Sequence, residues 1–436
     1  MKLRKIGKFL AAILCLFTMS SCTEFDNNTN NLLVAPKQEE IYHIQRALEK
    51  SAGKDITIKY PTSGEYRSAF ILKDINSDGT NEVFVLYSKT VDEAVTMNID
   101  VITLNGEEWE SKGSSNIVAG GVEKVAFSDL DGDGVEEIIV GWTVFGTVDK
   151  QLAVYSFDGE SLKKRAGEKY SDFLCGNLTG DNKNEIIVLG INSTDKSAYA
   201  KVFSIQTGSI SELGTLQLDE GITSFYSPVI SKLSNSKPAV YVDAVQGVGL
   251  ITEIFWFEGD TLKNLSGKDK AGESETFRTT LATTKDFNGD GILDVPLSEI
   301  LKSTANGEEL DKVYITKWSN FDGKSFKTMA TAFMNYSDNY YLTLAPNMMD
   351  RLYLARKTDS KLRIFYSYNH STQTQEDEVF RIMAVDKAIY NHAIYAEQNY
   401  EIIHESDKYV YVYRVQSNNP IGITGEMIKS NFGVIK

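Results

Sequence analysis

The sequence predicts an all-β protein built from a repeated unit of four antiparallel strands, and three observations carry that prediction. Acidic segments recur along the chain at intervals of roughly 50 residues, and each runs directly into an apolar, β-type stretch. A turn that contains glycine lies between apolar residues in each interval. Of the 436 residues, 42% are hydrophobic and 11% aromatic. That proportion excludes disorder as the main state, because it is enough to bury a large core.

The acidic segments align without gaps and are called the first to fourth loops below. They are Asp74–Glu82 (DINSDGTNE), Asp129–Glu137 (DLDGDGVEE), Asn177–Glu185 (NLTGDNKNE) and Asp286–Asp294 (DFNGDGILD). A degenerate copy, Lys232–Pro238, lacks the acids but still precedes an apolar run. This spacing predicts that each loop joins the first two strands of one repeat.

The glycine turns supply a second hairpin in each repeat. Asn-Gly and Asp-Gly between β-formers are strong hairpin signals, and such turns occur at Gly106, Gly159, Gly208, Gly259 and Gly323. Four antiparallel strands per repeat is the size of one propeller blade. A single blade cannot bury both of its faces, so the sequence predicts a β-propeller of about seven four-stranded blades, with six as the alternative.

The propeller is expected to occupy residues 38–436. Residues 38–52 form a short helix, because Ile41, Ile44 and Leu48 lie on one helical face. Residues 55–330 contain five blades with the repeat motifs. Residues 331–436 read as strands without acidic loops, and are either degenerate blades or a C-terminal cap.

The sequence of the N-terminus predicts a targeting segment. A basic start is followed by Phe9–Phe17, an apolar run of about half the ~20 residues needed to cross a bilayer. Residues 1–21 therefore read as a signal peptide. The cysteine that follows resembles the acceptor of a bacterial lipobox, which implies that Cys22 is lipidated and anchors the protein at the extracytoplasmic face of the cell membrane. The alternative is a secretory signal with a coincidental cysteine.

Residues 22–37 are polar and Asn-rich and are expected to form a flexible tether.

Composition excludes several classes of protein. The formal charge of -15 argues against a nucleic-acid partner, since nothing would offset phosphate repulsion. Three cysteines cannot form a disulfide scaffold, and four histidines argue against a multi-histidine metal enzyme. Cys175 and most aromatic residues are expected in the core, although the aromatics could alternatively line a carbohydrate-binding surface.

The acidic loops are the clearest chemical signal in the sequence. Calcium is a hard cation that takes 6–8 oxygen ligands, and oxygens at alternate positions of a tight loop can all point inward. The predicted ligands are Asp74, Asn76, Asp78, Thr80 and Glu82; Asp129, Asp131, Asp133, Val135 and Glu137; Asn177, Thr179, Asp181 and Glu185; and Asp286, Asn288, Asp290, Ile292 and Asp294. Thr80, Val135 and Ile292 would offer backbone carbonyl oxygens. The third loop carries fewer charges, so we expect the weakest affinity there.

An EF-hand loop begins in the same way, but it requires a glutamate at position 12 and flanking helices. Position 12 is Val85, Val140, Val188 or Leu297, and each lies in a β-type run. The loops instead resemble the FG-GAP/VCBS repeats of integrin-type β-propellers, over roughly residues 65–330. That resemblance implies two to four calcium ions, bound mainly for structural reasons.

The function expected from these features is ligand binding or adhesion by a lipid-anchored, calcium-binding β-propeller without catalysis. The ligand would be a glycan, a peptide or another envelope protein. One alternative is a carbohydrate-active enzyme of the polysaccharide lyase type, or its substrate-binding subunit. Another is a purely structural envelope protein. No catalytic residue is predicted, since the sequence contains no Gly-rich phosphate loop, nucleophile elbow or HExxH motif.

Overall fold

The computed structural model describes residues 38–91, 94–146, 150–206, 209–265, 274–306, 308, 312–354 and 361–435. Within these ranges the chain is an all-β protein with six antiparallel sheets of four or five strands each. The predicted signal peptide, the tether and Cys22 lie outside the described residues. In the described part, no helix is long and apolar enough to cross a membrane.

The first sheet folds together with helix α1, which spans Gln38–Ala52 and confirms the predicted N-terminal helix. Ile44 and Leu48 of α1 are buried against Val83 and Val85 of the sheet. β1 and β2 pair with successive parts of one edge of β3, and β4 and β5 follow on its other side. The strands are β1 (Ile56–Ile58), β2 (Phe70–Lys73), β3 (Glu82–Val91), β4 (Ala94–Asn105) and β5 (Glu108–Ile117).

The next three sheets are simple four-stranded meanders in sequence order. The second sheet contains β6 (Gly121–Ser128), β7 (Glu137–Thr143), β8 (Lys150–Phe157) and β9 (Leu162–Tyr170). The third contains β10 (Asp172–Gly176), β11 (Glu185–Ile191), β12 (Ala198–Gln206) and β13 (Ser209–Gln217). The fourth contains β14 (Ile222–Lys232), β15 (Pro238–Gln246), β16 (Gly249–Glu258) and β17 (Thr261–Asn264). In each sheet the acidic or degenerate loop joins the first two strands, as the sequence predicts.

The fifth sheet departs from this plan at both ends. The strand expected before the fourth loop is reduced to one bridge between Lys285 and Asp294. The sheet contains β18 (Val295–Ile300), β19 (Tyr314–Phe321), β20 (Phe326–Asn335), β21 (Tyr340–Thr343) and β27 (Phe432–Val434). A short 3-10 helix, η1 (Lys302–Thr304), follows β18. The predicted boundary at residue 330 therefore falls inside β20, and the end of the chain pairs with β21.

One further sheet completes the described chain. It contains β22 (Leu352–Leu354), β23 (Leu362–Asn369), β24 (Thr374–Asp386), β25 (Glu401–Glu405) and β26 (Tyr409–Val415), and β26 lies between β24 and β25. Short helices flank these strands: α2 (Pro346–Met349), η2 (Lys387–Ile389), α3 (His392–Glu397) and α4 (Gly425–Asn431). The described residues thus hold six sheets, the lower of the two blade numbers that the sequence left open.

The described residues form two compact units. One contains the residues up to Val125 with Phe157–Lys163, and the other contains Ala126–Ser156 with the residues from Lys164 onward. Inside the second unit, apolar clusters join each sheet to the next in sequence; example pairs are Ile139 with Val188, Val202 with Val242, Tyr241 with Phe321, and Phe333 with Phe365. Trp142 and Trp318 are each 1% exposed. The core role therefore holds for these aromatic residues.

Candidate metal centre

The four acidic loops share one backbone shape. In each loop the residues at positions 4 and 6 have a positive φ, which turns the chain tightly enough for side chains at alternate positions to face inward. At position 6 the angles are 88° for Gly79, 88° for Gly134, 77° for Asn182 and 82° for Gly291. Three of these residues are glycines because a β-carbon is strained in this region, and Asn182 belongs to the type that tolerates it best.

The first residue of the second loop holds that turn closed. One carboxylate oxygen of Asp129, Oδ1, accepts the Gly132 amide at 2.7 Å, and the other, Oδ2, accepts the Gly134 amide at 3.0 Å. Asp74 in the first loop and Asp286 in the fourth accept backbone amides in the same manner. The carboxylate at position 1 therefore shapes the loop in addition to offering oxygens to a cation.

The last acid of each loop is buried at the start of the following strand and is at most 4% exposed. One of its oxygens accepts the amide of the residue at position 2. These bonds join Glu82 to Ile75 (2.8 Å), Glu137 to Leu130 (3.0 Å), Glu185 to Leu178 (2.7 Å) and Asp294 to Phe287 (3.0 Å). The bond ties each loop to the strand that follows it.

Burial and negative neighbours make these closing acids weak. Burial raises the pKa of Glu137 to about 7, against the pull of the Leu130 amide, and Asp131, Asp133 and Asp129 raise it further. The pKa of Asp294 is raised to about 6 by burial, with added repulsion from Asp290 and Asp286. Carboxylates in such a setting are stabilised in the ionised form by a cation.

Only the second loop brings three acidic side chains close together among the described residues. One ligand oxygen from each of Asp129, Asp131 and Glu137 lies within 4.8 Å of the others. Such a group of carboxylate oxygens could hold a metal ion. Asp133 does not belong to this group, and its Oδ1 accepts the Val135 amide at 2.8 Å. The ligand role proposed for Asp133 and for the Val135 carbonyl stays a prediction.

The first and fourth loops have the same turn but fewer acids. In both, the asparagine at position 3 donates to the aspartate at position 5: Asn76 to Asp78 at 3.0 Å and Asn288 to Asp290 at 2.8 Å. Asp294 also accepts the side-chain amide of Asn320 at 2.9 Å. The remaining predicted ligands, Thr80 and Ile292, follow these aspartates at position 7 and donate their amides to them. Metal binding by these two loops stays a prediction.

The sequence reasoning missed two kinds of supporting residue. The apolar residue at position 2 is one, because its amide binds the closing acid, and the recurring Ile, Leu, Leu and Phe at that position could have indicated it. Asn320 is the other. It lies on β19 and reaches Asp294 across the sheet. Nothing in the sequence near Asn320 signals that contact.

Two further carboxyl groups with a raised pKa lie outside the loops. Burial raises the pKa of Asp100, whose oxygens accept the hydroxyls of Ser111 (2.6 Å) and Ser51 (2.8 Å). Burial also raises the pKa of Glu253 to about 7, and its Oε1 accepts the Asp219 amide at 2.6 Å. Both groups are engaged by neighbours of the chain itself.

Comparison with known proteins assigns no family and no activity to the chain. No family model and no curated protein matches the chain, so membership of the FG-GAP/VCBS family stays a prediction from its motifs. Solved β-propellers do match. A rhamnogalacturonan lyase of Bacillus licheniformis is 16% identical, with a TM-score of 0.33, over 61% of this chain and 66% of that one.

Two other solved structures show the range of that likeness. An exotype rhamnogalacturonan lyase is 12% identical, with a TM-score of 0.33, over 74% of this chain and 84% of that one. The β-propeller domain of the Trilobed protease from Pyrococcus furiosus is 9% identical, with a TM-score of 0.28, over 72% of this chain and 95% of that one. At these identities and TM-scores, the matches assign neither a fold nor an activity to the chain.

Proposed function

We propose that the chain is a calcium-binding β-propeller lipoprotein of the cell envelope that binds a ligand without catalysing a reaction. The group formed by Asp129, Asp131 and Glu137 is the single observation that carries the calcium part of the proposal. The envelope location is supported by the sequence of residues 1–21 and by Cys22.

The chemistry of the second loop favours calcium over other common cations. Its candidate ligands are all oxygens, whereas zinc in proteins is usually held with histidine or cysteine. Magnesium demands near-octahedral geometry and keeps several waters. A loop with three neighbouring carboxylates, a fourth at Asp133 and a carbonyl at Val135 suits the higher coordination number of calcium.

A structural role for the ion follows from the charges. The second loop carries five acids, Asp129, Asp131, Asp133, Glu136 and Glu137. With a pKa of about 7, Glu137 is only partly ionised at neutral pH when no cation is present. A bound calcium ion would hold this group ionised and offset the repulsion among the acids. Ion binding would then stabilise the folded loop by mass action.

The proposed absence of catalysis is supported by the surroundings of the weak acids. Perturbed carboxyl groups are the usual sign of a general acid or base. In the described residues the raised carboxyl pKa values belong to the acidic loops or to two buried groups, Asp100 and Glu253, that are engaged by hydrogen bonds. The ligand is proposed to be a glycan, a peptide or another envelope protein.

Calcium binding is tested by thermal unfolding of the purified chain in calcium and in chelator. We expect calcium to raise the melting temperature, since a ligand at 100 times its Kd stabilises the folded state by about 2.7 kcal/mol. Asp131→Asn should lose most of this increase. Asp260→Asn is the matched control, because it removes the same charge from an exposed turn of the fourth sheet.

An unchanged melting curve in chelator, together with no calcium in the purified protein, would contradict the proposal. The calcium-loaded chain is then screened against polysaccharides and envelope extracts, with product analysis in the same samples. Retention of a ligand without breakdown supports a binding protein. Release of shortened or unsaturated sugars would favour the lyase alternative instead.

A further inference from the structure

The third loop has the backbone of a calcium loop but not its side chains. Its φ angles at Gly180 and Asn182 are 83° and 77°, close to the corresponding values of 79° and 88° at Gly132 and Gly134 in the second loop. However, Asn177 replaces the first aspartate and Thr179 replaces the residue at position 3. The resemblance to calcium-binding repeats implies a calcium ion in this loop, and whether one can bind depends on the oxygen atoms that the loop offers.

The closing acid of the third loop is satisfied by the loop itself. Oε2 of Glu185 accepts the amides of Leu178 at 2.7 Å and Thr179 at 3.2 Å, and Oε1 accepts the Thr179 hydroxyl at 3.0 Å. In the other three loops, which all lie among the described residues, no hydrogen bond joins the side chain at position 3 to the closing acid. Both oxygens of Glu185 therefore already have donors, and Asn177 offers a neutral amide where the other loops have a carboxylate. This set does not fit a calcium ion.

The third loop also contacts the second. The amide of Asn184 donates to the backbone oxygen of Asp129 at 3.2 Å. The side chain of Lys183 runs over Gly132, where its Cε would lie 3.3 Å from a β-carbon on that residue. Gly132 stands between Asp131 and Asp133 in the sequence, so the aliphatic part of the Lys183 side chain packs on the acidic second loop, and its ammonium group lies one bond beyond Cε.

We infer that hydrogen bonds between Thr179 and Glu185 close the third loop without a bound ion, and that Lys183 of this loop supplies positive charge to the second loop. The first half of this inference stands alone. The second half rests on the proposed calcium site, because a positive charge near the second loop competes electrostatically with calcium. Lys183 thereby lowers the calcium affinity of the second loop and stabilises that loop when no ion is bound.

The ion-independent closure is tested with Thr179→Val, which keeps the shape of the side chain and removes its hydroxyl. We expect the melting temperature of the full chain to fall by a few degrees, and by the same amount in calcium and in chelator. If the fall occurs only in calcium, Thr179 is an ion ligand and the inference is wrong. If the variant melts like the wild type in both conditions, the hydroxyl does not close the loop.

The effect of Lys183 is tested with Lys183→Met, followed by calcium titration. Lys169→Met is the matched control, because Lys169 is exposed near the end of β9 and loses the same charge. Charge pairs at a protein surface contribute about 0.2–1 kcal/mol, so we expect calcium to bind about 1.4- to fivefold more tightly to Lys183→Met. The gain should shrink in high salt, since screening weakens exposed charges.

Each result separates this inference from the proposed calcium site. Equal affinities for Lys183→Met and Lys169→Met would overturn the role of Lys183 while leaving the calcium site intact. If the wild type binds no calcium, the proposed site fails, yet the Thr179→Val comparison in chelator still decides whether the third loop closes without an ion. In chelator, Lys183→Met should also melt at a lower temperature than Lys169→Met, and the opposite order would contradict the inference.

Discussion

The acidity of a buried carboxyl group in this chain depends on whether a positive partner reaches it. Glu253 is 2% exposed, accepts the Asp219 amide, and has its pKa raised to about 7 by burial. At Glu378, burial acts in the same direction, but hydrogen bonds from Arg381 outweigh it and the pKa is lowered. Hydrogen bonding to a cation thus decides the sign of the shift.

The raised pKa of Glu253 predicts a loss of stability with rising pH. Below pH 4.5, its ordinary pKa, the group is protonated in both the folded and unfolded chains. Between pH 4.5 and 7 the unfolded chain ionises first, so the stability due to the neutral folded form is progressively lost. Glu253→Gln stays neutral throughout. Its melting temperature relative to the wild type should therefore rise from pH 4.5 to 8, and a difference independent of pH would contradict this assignment.

At the scale of the elements, hydrogen bonds to one buried carboxyl group fix α1 to the first sheet. Ser51, in the last turn of α1, donates to Oδ2 of Asp100 on β4, and Ser111 on β5 donates to Oδ1. Asp100 is fully buried, so these hydroxyls replace the water that its carboxyl group loses on folding. One side chain thereby joins a helix and two strands.

Removing one of these donors should destabilise the first compact unit. Ser111→Ala leaves Oδ1 of Asp100 buried without its hydroxyl donor, and such a loss costs about 1–3 kcal/mol. Urea unfolding measures the change. Ser114→Ala is the control, because Ser114 lies exposed on the same strand and the substitution is identical. Equal effects of the two variants would show that the hydroxyl of Ser111 does not support Asp100.

At the scale of the whole molecule, apolar clusters link neighbouring sheets of the second compact unit into one series. Tyr241 of the fourth sheet, for example, packs in one cluster with Phe321 of the fifth, and Phe333 of the fifth packs with Phe365 of the sixth. A sheet that shares its core with the next cannot lose its packing without exposing its neighbour. We therefore expect the sheets of this unit to unfold together.

Trp142→Phe tests that expectation. Trp142 is buried in the second sheet, and the substitution should lower the unfolding midpoint by leaving space in the core. The far-UV circular dichroism and the fluorescence of the remaining tryptophans, among them Trp256 and Trp318 in the fourth and fifth sheets, should shift to one common lower midpoint. Separate transitions by the two probes would show that the sheets unfold independently.

The sequence predicts the repeated part of the molecule well because each repeat is local. An acidic loop and a glycine turn specify neighbouring strands within a short stretch of chain, as in the meander from β6 to β9. The pairing of β27 with β21 joins segments far apart in the sequence, and no turn motif predicts it. The contact of Lys183 with Gly132 could not be predicted from the sequence either, because it depends on how two loops of different sheets approach each other.

The pairing of Phe432–Val434 with Tyr340–Leu342 also affects the order in which the protein can mature during translation. The second to fourth sheets need only the residues already made when their last strands leave the ribosome. The fifth sheet stays short of one strand until Phe432–Val434 has also been made. A ribosome stalled before residue 432 would therefore hold a nascent chain whose fifth sheet still exposes an unpaired edge.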